Sequence, residues 1–179
     1  MATKHEETYS ITRVTRHIRR PYNEVISRLE SSIKQSDNPM SILGPSATKG
    51  KEAYEEAVNS QLGPHGFMQF LQLKHGSWMG LYGVHVGKQA TRVVFGNPQV
   101  AITMLKHDVR AGLFVPVEAL VLEREDGNGT DVIMMKPSTL IAGGSDGEQG
   151  RKLRDAAEVL DEKVDALWNW VAEASESKM

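Results

Sequence analysis

The sequence predicts an α+β fold in which helices back one face of an antiparallel sheet of about five strands. Three observations predict it. Short segments rich in β-branched and apolar residues alternate with segments whose apolar residues recur at helical spacing. The run Asp126-Gly127-Asn128-Gly129 is a strong hairpin turn signal between two of the strands. The chain closes on a long amphipathic segment, so the predicted order is β-α-(α)-β-β-α-β-β-α.

The domain is predicted to begin with a strand and a helix. Residues 9–19 are rich in Ile, Thr and Val, which favour extended backbone. Their apolar phase slips between Ile11 and Val14, where we expect a bulge. Pro21 suits the first position of a helix, and an apolar stripe at helical spacing continues to about Gln35.

Residues 36–66 are predicted to be an insertion that lies on the surface or over a pocket. Residues 36–50 carry the Gly and Pro punctuation of a long loop, and 51–61 look like a short polar helix. Loops of this size inside a compact domain are often functional. The next strand is predicted at residues 67–74.

A strand, a capped helix and a second strand are predicted in the middle of the chain. Asn97 is a typical N-cap and Pro98 a typical first helical residue, so a helix should run from 98 to about 111. Gly112 suits the left-handed end of that helix. An apolar strand then follows at 113–122.

The hairpin returns as the last strand, at residues 131–136. A Gly-rich loop is predicted at 140–150, and the closing amphipathic helix at 151–174. We therefore expect one α+β domain over residues 9–174, with a flexible N-terminus at 1–8 and a flexible tail at 175–179.

Composition excludes several classes of site and partner. A net charge of −2 and a pI of about 6.3 argue against nucleic acid as the main partner. The chain has no cysteine, which excludes disulfides, thiolate metal sites and cysteine nucleophiles. The N-terminus lacks the apolar core of a signal peptide, and no run approaches the length that spans a bilayer. We therefore expect a cytoplasmic protein with no membrane partner.

Two motifs resemble a known family. The runs Val93-Val94-Phe95-Gly96-Asn97-Pro98 and Gly112-Leu113-Phe114-Val115-Pro116 are similar to those of domain-of-unknown-function family 302, and so is the helix start Pro21-Tyr22-Asn23-Glu24-Val25. The resemblance implies a TATA-binding-protein-like α+β fold, often as a dimer, and no established activity. Many family members carry Cys where this chain has Val117, so a thiol-based role would be lost here.

The segment from His75 to Gly83 is the candidate ligand site, because it combines glycines and aromatic side chains with one histidine. We expect a small-molecule-binding domain that holds a small apolar or anionic ligand in a pocket between sheet and helices. In it, His75 and Asn97 supply polar contacts, Arg110 offsets ligand charge and the aromatic side chains exclude water. The predicted ligand-binding residues are His75, Trp78, Tyr82, Asn97, Arg110 and Phe114. Two simpler readings stay open: the segment is a tight connection that plugs the core, and Asn97 only caps its helix.

An enzyme is the alternative hypothesis, with His75 as acid–base group or as a ligand to a metal or cofactor. No metal site is predicted, because the spacing of the candidate ligands His75, His85 and His107 is not diagnostic. No cofactor can be assigned from the sequence.

A dimeric interaction protein is the third hypothesis. Trp168 and Trp170 lie on nearly opposite faces of the last predicted helix, so one of them should point outward. An exposed Trp favours a partner surface, and we expect a homodimer. The alternative is a Trp that the insertion or the tail covers.

Overall fold

A five-stranded antiparallel sheet in the order β1-β5-β4-β3-β2 supports the domain. The structure is a computed structural model, and it describes residues 2–34 and 39–173. The strands are β1 (Arg13–Ile18), β2 (Met68–Lys74), β3 (Ala90–Gly96), β4 (Val117–Glu123) and β5 (Thr130–Met135). The predicted α+β fold with an antiparallel sheet of about five strands is confirmed.

Helices bury one face of this sheet. The helices are α1 (Tyr22–Ser32), α2 (Met40–Ala47), α3 (Lys51–Gln61), α4 (Gly76–Met79), α5 (Pro98–Leu105), α6 (Pro137–Ile141) and α7 (Gly147–Ala172). Apolar side chains of α1, α5 and α7 share one core with alternate residues of the strands. Val93 and Phe95 of β3 are fully buried in it, whereas the intervening Val94 belongs to the opposite face and is half-buried.

Aromatic rings connect α7 to the sheet. The rings of Trp168 and Phe95 pack edge-on with their centres 6.1 Å apart, and the rings of Phe95 and Phe67 do so with their centres 5.5 Å apart. All three side chains are fully buried. Of the two tryptophans of the closing helix, Trp168 is therefore the one that enters the core.

A second, smaller core lies beside the first. Leu43 of α2, Val58 of α3 and Met68 of β2 form its buried part. The loop predicted at 36–50 is therefore wrong where α2 forms. Gly44 and Pro45 suggested a loop, but burial of Leu43 against α3 stabilises a helix across them.

The helix predicted from residue 98 to 111 is wrong beyond Leu105. Residues 109–114 instead form a 3-10 turn, whose first N–H groups are capped by Asp108: its Oδ1 accepts from the Arg110 N–H at 2.9 Å. Gly112 does not adopt a left-handed conformation. The next strand begins at Val117 rather than 113, after a proline that has no N–H to donate to the sheet.

Other element boundaries also differ from the predictions. Residues 9–12 precede β1, and the bulge expected between Ile11 and Val14 is wrong; the sheet has its irregular register in β2, between Gln69 and Leu71.

Helix also replaces most of the Gly-rich loop predicted at 140–150. Pro137 opens α6 as its first residue, and α7 begins at Gly147, four residues earlier than expected. The predicted tail at 175–179 lies outside the described residues.

Candidate functional site

An apolar cavity of about 260 Å³ lies where β3 ends and β4 begins, between the sheet, α5 and α7. We call it the α5 pocket. Its lining consists of Phe70, Gly96, Asn97, Pro98, Val100, Ala101, Met104, Leu105, Gly112, Val115, Pro116, Val117 and Leu160. It therefore takes residues from three strands, two helices and the 3-10 turn.

Asn97 fixes the junction between β3 and α5 at the mouth of the pocket. Its Oδ1 accepts a hydrogen bond from the Gln99 N–H at 2.8 Å, which caps the helix. Its Nδ2 donates to the Gly66 carbonyl at 3.0 Å, which ties the junction to the loop before β2. Both ends of the side-chain amide are thus used within the protein, so capping explains Asn97 without a ligand.

Close contact between Gly96 and Pro116 shapes the wall of the pocket. A Cβ added to Gly96 would lie 2.9 Å from Cβ of Pro116, which is closer than real Cβ contacts allow. The peptide bond before Pro116 is cis. Glycine is therefore required at position 96 by the proline that lies against it.

The lining of the α5 pocket carries no charged side chain. Asn97 is its one polar side chain, and that amide already has protein partners. A cavity of this kind suits a small, uncharged, mainly apolar molecule, since a buried charge without a partner is costly.

Phe114 lies outside the α5 pocket. It lines a neighbouring groove of about 360 Å³ that opens on the other face of the sheet, where Leu120 and Ile133 form the floor. Of the six ligand-binding residues predicted from the sequence, Asn97 alone lines the α5 pocket.

Arg110 is exposed and held by carboxylates. Its guanidinium donates to Asp108 Oδ2 at 2.8 Å and lies 3.8 Å from Glu7. Hydrogen bonds from Arg110 lower the pKa of Asp108, and Asp108 in turn raises the pKa of Arg110. Its positive charge is therefore partly neutralised and faces a separate polar cleft beside the start of α7.

The rings of His75, Trp78 and Tyr82 form a row, which we call the ladder, with Trp78 in the middle. The ring of Trp78 lies edge-on to both neighbours: its centre is 5.8 Å from the ring centre of His75 and 6.3 Å from that of Tyr82. The ladder adjoins the first residue of β3, since a Cβ on Gly76 would lie 2.9 Å from the Ala90 nitrogen. Asn97 follows the last residue of this strand, roughly 20 Å away for seven residues of extended chain. The predicted residues therefore stand at opposite ends of β3 and do not share one cavity.

The three candidate histidine ligands also lie apart, each with its own neighbours. His75 contacts Trp78, Nδ1 of His85 lies 2.5 Å from Glu125 Oε1, and Nδ1 of His107 lies 3.2 Å from Gln149 Oε1. Within residues 2–34 and 39–173, no three His, Asp or Glu side chains are grouped closely enough to hold a metal ion.

Trp170 is half-buried rather than outward. The guanidinium of Arg28 lies 4.5 Å from its ring centre, and His65 packs on it at 4.9 Å. His65 belongs to the predicted insertion, so the insertion covers this Trp. The prediction of an outward-pointing Trp, on which the dimer hypothesis relied, is therefore wrong.

Comparison with family models matches residues 45–167 to DUF302, a domain of unknown function. The chain belongs to this family. Comparison with solved structures finds "Crystal structure of uncharacterized conserved protein DUF302 from Bacillus stearothermophilus", with a TM-score of 0.60 and 19% identity. The match covers 89% of this chain and 97% of that one, and at this identity it shows the fold alone. Comparison with curated proteins finds no match.

The range matched by the DUF302 model includes α3, which lies in the predicted insertion, and most of α7. Among the helices of the described residues, none is long and apolar enough to cross a membrane.

The DUF302 motifs held a signal for the pocket that sequence reasoning missed. Gly96 and Pro116 come from the two separate motifs, and the structure brings them into contact. Pairing the motifs would have placed the pocket between them. The contributions of Phe70, Met104 and Leu160 had no such signal, because they depend on how β2, α5 and α7 pack.

A larger polar cleft of about 820 Å³ lies at the other end of the sheet, beside the start of α1. Two of its ionic groups have protein partners already: Arg20 pairs with Glu24, and Glu123 lies 3.0 Å from the Lys88 amine. The hydrogen bond from Lys88 is the largest cause that lowers the pKa of Glu123, and the Gln89 N–H adds to it. The α5 pocket is the better enclosed candidate for a small ligand.

Proposed function

We propose that this DUF302 domain binds a small, uncharged, mainly apolar molecule in the α5 pocket. The observation that carries the proposal is the cavity itself: about 260 Å³, lined almost wholly by apolar side chains, and built where the two family motifs meet. Binding sites for small molecules are usually preformed apolar cavities with few polar groups. The sequence-based expectation of a pocket between sheet and helices supports the same proposal.

Indole is a suitable probe, because it is small, flat and mainly apolar. We expect saturable shifts of the Met104 methyl signal in a two-dimensional NMR titration, with a dissociation constant of about 1 mM. The methyl of Met135, on the opposite face of the sheet, should stay unchanged. Met104 is fully buried, so its response reports entry into the cavity rather than surface adsorption.

A variant that fills the cavity tests whether indole binds inside it. Ala101 lines the pocket, so Ala101→Leu should abolish the indole-dependent shifts. Ile102→Leu is the matched control, since Ile102 is exposed on the same helix and does not line the pocket. Linear, non-saturable shifts in the wild type, or binding retained in Ala101→Leu, would overturn the proposal.

Self-association through the open face of the sheet is a second candidate function. That face carries the exposed Leu71, Leu73 and Met135 and the half-buried Leu120 and Ile133. Arg92 and Glu118 pair with each other among them. An isologous dimer needs one surface that complements itself, and an apolar patch with balanced charges meets that need.

Analytical ultracentrifugation tests the dimer. Leu120 is paired in register with Arg92 of β3, so Leu120→Arg places like charges side by side on the face and should give a monomer. Ile102→Arg changes an exposed residue of α5 and should leave the dimer intact. A monomeric wild type, or equal dissociation of both variants, would exclude this interface.

A further inference from the structure

Residues 75–87, which form most of the connection between β2 and β3, expose an unusual share of apolar surface. We call it the 75–87 loop. Leu81 is 83% exposed, Tyr82 77% and Val86 67%, and about half of Trp78 and Val84 reaches solvent. Neither α4 nor the 3-10 turn that follows it has a buried residue. Scattered apolar side chains on a surface are ordinary, but five within nine residues mark a contact surface.

The ends of the loop are held together. A Cβ on Gly76 would lie 2.9 Å from the Lys88 carbonyl oxygen and 2.9 Å from the Ala90 nitrogen, so the chain leaves and rejoins the sheet at one place. The loop is thus a compact excursion with adjacent ends, and the described sheet supplies its base.

The 75–87 loop carries no acidic or basic side chain apart from its histidines, and its base carries both lysines and carboxylates. Residues 75–87 contain no Asp, Glu, Lys or Arg, and no acidic residue occurs from 57 to 107. Lys74 and Lys88 flank the loop. Lys88 is paired with Glu123, whereas the exposed Lys74 has no ion pair within the described part of the chain. His85 within the loop faces Glu125.

We propose that the 75–87 loop docks on a lipid bilayer surface that contains anionic lipids. Trp and Tyr are the side chains that favour the boundary between headgroups and acyl chains, and Leu81 and Val86 would lie deeper. Lys74 would meet lipid phosphate or carboxylate groups. Such contact is reversible and needs no helix that spans the membrane.

Co-sedimentation with vesicles tests the proposal on the full chain. We expect binding to vesicles of phosphatidylcholine with about one third phosphatidylserine, and weaker binding to phosphatidylcholine alone. Leu81→Ser should weaken binding about tenfold or more, because it removes a side chain that would be buried in lipid. Lys74→Gln should reduce binding to the anionic vesicles about fivefold.

Leu113→Ser is the matched control, because Leu113 is 82% exposed but lies in the 3-10 turn before β4. Its vesicle binding should equal that of the wild type. Tryptophan emission gives a second readout: Trp168 is buried and Trp170 is covered, so a blue shift on adding vesicles reports mainly Trp78. Trp78→Phe should remove that shift.

Three results would overturn the proposal. One is that the protein co-sediments with neither kind of vesicle. Another is equal loss in Leu81→Ser and Leu113→Ser, which would indicate nonspecific adsorption. The third is a loss of self-association in Leu81→Ser without lipid, which would assign the loop to a second copy of the chain.

Discussion

Single residues determine the local backbone around the α5 pocket. Asn97 ends β3 and caps α5, and Asp108 caps the 3-10 turn in the same way. Gly96 leaves room for Pro116 between these two caps. Because each of these residues satisfies a backbone or steric need, contacts within the protein are enough to form the wall of the cavity.

Gly96→Ala tests this contact at the residue scale. Its Cβ would lie 2.9 Å from Cβ of Pro116, so the wall must shift, and we expect a loss of about 1–3 kcal/mol in the free energy of unfolding. Urea denaturation measures it. Gly44→Ala is the control: apart from its chain neighbours and the adjacent backbone of its own helix, no atom lies within 4 Å of the added Cβ. Alanine also favours helix α2, so a small gain in stability is expected. Equal stability of both variants would contradict the steric role of Gly96.

Whole elements show how far sequence reasoning reaches. The amphipathic character of α7 was predicted, because helical spacing alone places Leu153, Leu160 and Trp168 on one face. Asp161, which is buried on that face, was not predicted. The start of α5 was predicted because the side chain of Asn97 caps the helix that directly follows it in the sequence. The end of α5 and the whole of α2 were missed, since the packing of distant residues decides them.

The C-terminus of α7 depends on a contact that periodicity cannot reveal. Arg28 donates from Nε to the Val171 carbonyl at 2.9 Å and also to that of Trp170, while Arg20 donates to those of Ala172 and Glu173. The last carbonyls of a helix lack partners within it and carry its negative dipole end, so two guanidinium groups from the start of the chain stabilise it.

Arg28→Met tests this tie between α1 and α7. Methionine keeps an apolar stem against Trp170 but loses the charged donors, so we expect a destabilisation of about 1.5–3 kcal/mol in urea denaturation. Arg151→Met serves as control, because Arg151 is exposed in the second turn of α7. Its removal should change stability by less than about 0.5 kcal/mol. A comparable loss in both variants would show that the carbonyl contacts contribute little.

Across the whole molecule, β3 separates two surfaces of different character. The α5 pocket lies at its end, and the exposed 75–87 loop precedes its start. The sequence predicted one site from residues of both regions, because composition marks aromatic, glycine and polar residues but not which end of a strand they adjoin. Only the register and direction of β3 separate Asn97 from His75.

The two cores of the molecule should differ in stability. The cluster of Leu43, Val58 and Met68 is small, whereas the main core joins α1, α5 and α7 to the sheet. Amides of α2 and α3 should therefore exchange with solvent by local opening, at a lower free energy than amides of β3 and β4.

Native-state hydrogen exchange measures this difference, and two variants assign it. Leu43→Ala removes a fully buried side chain from the small core, so it should lower the protection of α2, α3 and β4 alike by about 2–4 kcal/mol, because the small core is open in both the locally opened and the globally unfolded state. Val121→Ala, in the main core, should lower the protection of β4 and leave that of α2 and α3 nearly unchanged, because the main core stays folded while the small core opens. If Val121→Ala lowers the protection of α2 and α3 as much as that of β4, the small core opens only together with the main one, and the molecule unfolds as a single cooperative unit.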